Sequence, residues 1–196
     1  MSFARLRVTT ALLSSALLST ALCCQARPAG PATVALHSGS NAIDFGQGAN
    51  KGMAMLAHRE NFNAHGFDVL TLYIKPRAAD QEIADWQLIS IFDGDKETLL
   101  QTSGGGADCT LHDFRLVRDQ PGGVPRLIVA RRDAGNSYAD AAAVHFTYYT
   151  LRHNGAGDVG RPLYYFNRDH ETMAAKAYCD VGDAFDQELG IKPYRR

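Results

Sequence analysis

Two histidines, an arginine, a glutamate and two asparagines fall within one run, His58-Arg59-Glu60-Asn61-Phe62-Asn63-Ala64-His65-Gly66-Phe67. Imidazole, guanidinium, carboxylate and amide groups at this density supply metal ligands, proton carriers or anion partners. The same residues also build a hydrogen-bonded corner between two strands, with Gly66 relieving the turn. In both readings Arg59, Glu60, Asn61 and Asn63 are expected to form a buried or half-buried polar network. Arg59 is expected to bond Glu60 or Asp68 in bidentate fashion, with Phe62 and Phe67 buried as anchors worth about 2 kcal/mol each. If the corner is a binding site, His58, Asn63 and His65 are the residues expected to face the ligand.

Other constellations are weaker. A metal set of His58, His65 and one of His112 or His145 would suit a periplasmic hydrolase, but no His-Glu-x-x-His or His-x-His pair supports it. No metal or cofactor is expected. Asp44-Phe-Gly-Gln-Gly opens like a calcium loop yet puts glycines where oxygen ligands belong, so it reads as a hairpin turn. Asp93-Gly-Asp95-Lys-Glu97 offers three carboxylates at alternate positions but sits in a hairpin and lacks the downstream bidentate acid, so it reads as a solvated turn. There is no Gly-x-Ser-x-Gly nucleophile turn. Ser103 precedes Gly104-Gly105-Gly106, a loop whose amides suit an anion. A second binding candidate is Gly135-Asn136-Ser137-Tyr138, where small residues lead to a tyrosine. It partly resembles the cleft-plugging loops of periplasmic lysozyme inhibitors, which makes a lysozyme inhibitor or secreted-toxin immunity protein an alternative function.

The elements that must position these groups are mostly strands. Runs rich in β-branched and aromatic residues recur every ten to fifteen positions: 33–37, 41–45, 52–58, 67–75, 86–92, 97–102, 110–117, 126–131, 143–151 and 163–167. Within 143–151, Val144, Phe146 and Tyr148 alternate with His145, Thr147 and Tyr149, which predicts one core-facing and one wetter side. Only 184–189 reads as helix, capped by Asp183 and stopped by Gly190. The expected fold is mainly β, an antiparallel sandwich or partly closed barrel with a short C-terminal helix.

Residues 1–26 read as a signal peptide: Arg5 and Arg7, an apolar stretch over 8–22, then Cys24-Gln25-Ala26. Residues 27–39 read as a flexible lead and first strand, and 40–196 as one β-rich domain. The apolar stretch is shorter than a membrane span, so a soluble periplasmic protein is expected. Acylation at Cys23 or Cys24 is the competing fate. Cleavage removes Arg5 and Arg7 from the 20 basic residues and leaves all 21 acidic ones, for a formal charge of −3. With no long basic run, nucleic acid is excluded as a partner. Cys109 and Cys179 remain, and an oxidising compartment favours a disulfide between them over two buried thiols.

The Ile43-Asp-Phe-Gly46 turn, the 58–67 run, Gly106-Ala-Asp-Cys109, Arg131 to Asp140 and Tyr178-Cys-Asp180 together resemble the CarG-like carbapenem intrinsic-resistance proteins across most of 40–190. The resemblance implies a periplasmic protein that protects its host from a carbapenem without hydrolysing it. The partner expected is then an envelope-directed antibiotic, its target, or a hostile cell-wall enzyme.

Overall fold

The computed structural model describes residues 30–46, 51–76 and 85–195. The expected signal peptide and the first part of the lead lie outside them. Twelve strands and one helix follow in chain order: β1 (Ala32–Thr33), β2 (Gly39–Asp44), β3 (Lys51–Arg59), β4 (Phe67–Lys75), β5 (Gln87–Leu88), β6 (Ser90–Asp93), β7 (Lys96–Thr98), β8 (Gln101–Gly105), β9 (Thr110–Arg118), β10 (Arg126–Arg132), β11 (Val144–His153), β12 (Tyr164–Met173) and α1 (Val181–Leu189).

The strand path is β2-β3-β4-β8-β9-β10-β11-β12-β6-β7, open at both ends and therefore not a barrel. It is folded over at β8, which pairs with β4 through Asp68 and Ser103 and with β9 through Gly104 and His112. A bulge between Gly104 and Gly105 makes this change of direction. Among the described strands all pairings are antiparallel except β12 with β6, where Tyr165 lies beside Ser90.

Two cores result. Between the layers, Leu56, Leu70, Leu72 and Ile74 meet Phe114, Leu116, Leu127, Val129 and Phe166. On the far side of β9 to β11, Ile128, Ala130, Val144, Phe146 and Tyr148 are covered by Val181, Ala184 and Phe185 of α1. The expectation of one wet face on β11 is thus corrected. Val144, Phe146 and Tyr148 face the helix, while Thr147 and Tyr149 are buried on the other side. Helix and first layer cover opposite faces of the same strand, which alternation alone does not reveal.

The helix also starts earlier than expected. Its N-cap is Asp180, whose carboxylate accepts from Gly182 N at 2.6 Å, and Asp183 lies inside the first turn. Val181 belongs to the buried stripe, so the helix must reach back to include it. Gly190 ends it with φ 66°, its N–H donating to the Asp186 carbonyl. The disulfide joins Cys109, after β8, to Cys179, just before α1, with Cα atoms 5.5 Å apart.

Candidate functional site

The corner is the seven-residue loop of the β3–β4 hairpin, closed by the Arg59 and Phe67 pair. Its polar side chains brace the loop itself. Glu60 Oε1 accepts from Phe62 N at 2.6 Å, and Asn63 Oδ1 accepts from His65 N at 2.8 Å. Asn61 Nδ2 donates to the His65 carbonyl at 2.7 Å, while Arg59 Nη1 donates to Asn61 Oδ1.

Three expectations fail here. The network lies at the surface, because the hairpin projects past the end of the sandwich and no apolar layer reaches it. Phe62 is 96% exposed with φ 55°, so it anchors nothing. Arg59 bonds neither Glu60 nor Asp68; its guanidinium lies 5.4 Å from the centroid of the half-buried Phe67 ring. Asp68 has other partners: His58 Nδ1 donates at 2.8 Å, Tyr194 Oη at 3.0 Å and Arg195 Nη2 at 2.7 Å. Burial, with Asp113 and Asp68 adding to it, pushes the Tyr194 hydroxyl far above its ordinary value, so it stays a donor.

His65 turns to the β8–β9 turn, where its Nδ1 donates to the Gly105 carbonyl at 3.3 Å. That turn needs glycine. A Cβ on Gly104 would come within 2.8 Å of Phe67 Cβ, and one on Gly105 within 2.5 Å of the Cys109 carbonyl. An open pocket of about 210 Å³ lies there, lined by His65, Phe67, Thr102, Gly105 and His112. Burial, then the positive charge of Arg131, holds the His112 imidazole below its usual value despite Asp113. The half-buried Ser103 lies opposite Asp68 in the strand register, beside the Tyr194 hydroxyl.

On the other side of the turn lies the β10–β11 loop. Arg132 gathers it by donating to the carbonyls of Asp140 and Ser137, and Ser137 Oγ accepts from Ala139 N at 3.0 Å. Ser137 therefore shapes the loop, whereas Tyr138 is 65% exposed, its Cβ 3.5 Å from where a Cβ on Gly106 would stand. The Ala139 carbonyl packs 3.1 Å from Cys179 Sγ. Two stretches that the sequence offered as separate candidates thus flank one glycine turn, at one end of the sandwich.

The metal set does not assemble. Among the described residues no three of His, Cys, Asp and Glu are placed to share an ion. His58 turns to Asp68 and His65 to Gly105, while Arg131 stands between His112 and His145 in the strand register. Asp44 Oδ1 caps Gly46 N at 2.8 Å, as a turn residue does. Asp93 bonds Arg168 at 2.9 Å beside a Gly94 of φ 61°. Sequence reasoning missed Thr102 and Arg131, and met His112 only as a metal ligand. The glycine triplet was the available signal, since such a turn lets neighbouring side chains approach.

This architecture, two β layers sharing a strand with a helix packed on one of them, defines a β-sandwich protein whose polar loops gather at one end. Residues 36–187 match the family described as "Carbapenem resistance protein CarG-like", and the chain belongs to that family. A solved structure, "Crystal structure of CarG", has the same fold: TM-score 0.67 and 22% identity, covering 79% of this chain and 94% of that one. No curated protein matches.

Proposed function

We propose that this chain is an exported, periplasmic protective protein that lowers the action of a carbapenem by binding a protein partner, without hydrolysing the drug. The observation that carries the reading is Phe62, an aromatic ring held outside the fold by a braced loop and set at the same end as the exposed Tyr138. A ring in water gains nothing for the monomer, whereas at an interface it is a strong anchor. The pocket beside this loop, about 210 Å³, is smaller than the roughly 300–1,000 Å³ typical of sites that enclose a drug-sized molecule, and the open pockets of about 430 and 380 Å³ lie along Ala35 and Arg195 instead. Membership of the CarG-like family supports the carbapenem context.

The test combines chemistry and protection. Purified protein incubated with a carbapenem is expected to leave the ring intact, and Phe62→Ala is expected to melt normally yet fail to protect cells. Catalytic ring opening, or full protection by Phe62→Ala, would overturn the reading. The exposed Tyr138 favours a second reading, inhibition of a muramidase, which a tight complex with a lysozyme lost in Tyr138→Ala would support.

A further inference from the structure

Two polar side chains line the small pocket without partners of their own, and an exposed guanidinium stands beside one of them. The Thr102 hydroxyl and the His112 imidazole line it, and neither makes a hydrogen bond to a described residue. Arg131 stands beside His112 in the β9–β10 register and acts on it electrostatically, yet it too has no ion pair or hydrogen bond among the described residues. The neighbouring guanidiniums are engaged, Arg59 with Asn61 and Arg132 with the loop carbonyls.

Most carboxylates near this end are engaged as well, the exposed Asp108 and Asp140 having no side-chain partner among the described residues. Asp113 pairs with Arg115 inside the sheet, Asp68 holds His58, Tyr194 and Arg195, and Glu60 caps Phe62 N. Asp133 lies 3.4 Å from His145, one strand beyond Arg131. Half-buried donors without acceptors beside an unpaired guanidinium describe a place prepared for an anion.

We propose that the pocket bounded by His65, Phe67, Thr102 and His112 is a carboxylate receptor. Arg131 supplies the charge, Thr102 Oγ1 and an N–H of His112 donate to the two oxygens, and the Phe67 ring lies along the adjoining carbon atoms. His65, whose Nδ1 is committed to Gly105, adds a second positive group only when protonated. The volume takes a carboxylate and the few atoms next to it. Such a group comes either from a free small molecule, a carbapenem among them, or from a glutamate of a docked protein. The pocket stands apart from the Phe62 reading, since it binds or fails to bind acetate whether or not a protein docks.

The experiment follows the imidazole signals of the intact disulfide-bonded protein by NMR, as acetate replaces chloride at constant ionic strength. The expected result is a rise in the titration midpoint of His112 with acetate, because a bound anion favours the imidazolium. Arg131→Gln and the near-isosteric Thr102→Val are each expected to weaken the response about tenfold. Backbone-blocked glutamate and a carbapenem are then titrated in the same way, and the one acting at lower concentration identifies the source. A His112 midpoint unmoved by all three probes, or a response undiminished in both variants, would overturn the proposal.

Discussion

Phe62 carries two costs at once. Its positive φ costs a residue with a Cβ about 1–2 kcal/mol, and its ring remains in water. Phe62→Gly removes both, so it is expected to leave thermal stability unchanged or raise it by up to about 1 kcal/mol while abolishing protection of the host. Denaturant melts paired with a carbapenem survival assay check this, and a loss of stability would mean that the ring supports the fold. At this scale the sequence showed that polar side chains would brace the corner, since Asn and Glu near a Gly satisfy turns locally, but not that Arg59 would bond Asn61 instead of Glu60 or Asp68. It did not show whether they would be buried. Burial depends on how far the hairpin projects beyond layers built from residues elsewhere in the chain.

At the scale of elements, the disulfide is the tie that holds the candidate site together. It joins the glycine turn to the start of α1, and the Ala139 carbonyl packs against it. Closing a span of 70 residues is worth roughly 4 kcal/mol through the unfolded chain. Cys109→Ser with Cys179→Ser is expected to lose about that much in chemical denaturation and to increase amide exchange in the 133–140 loop and the β8–β9 turn. Exchange confined to the chain termini would argue against the tie. Most strands were legible from their alternation, and 67–75 emerged with the bounds read from sequence. The early helix start was hidden because Gly182 interrupts the helical pattern just where Asp180 caps it.

For the whole molecule, shifted groups shape the pH range of stability, with the half-buried His112 acting on the acid side and Tyr178 joining Tyr149 and Tyr194 on the alkaline side. The folded state holds His112 below 6.5, so below that value the unfolded chain binds the proton more readily. Stability from the neutral imidazole is therefore present above pH 6.5 and declines as pH falls below it. Tyr178 is pushed up to about 12, first by desolvation and then by its bond to Glu188. Its contribution is fully present below pH 10 and lost as pH climbs toward 12. Thermal melts are expected to show a plateau near pH 7 to 9. His112→Gln should make the acid side shallower and Tyr178→Phe the alkaline side, with Glu188 and the raised Tyr149 and Tyr194 keeping the rest of each slope; unchanged slopes in both would place the responsible groups elsewhere.

The bridge between Cys109 and Cys179 also imposes an order in time. Cys179 follows Cys109 by 70 residues, so the earlier thiol is made long before its mate. Strands β9 to β12 must all emerge before the two sulfurs can meet. During that interval the half-made domain carries a reactive nucleophile beside its glycine turn, open to alkylation or to a mixed disulfide with a passing oxidant. The end that carries Phe62, His65 and Tyr138 is therefore tied only once the chain through Cys179 has been made.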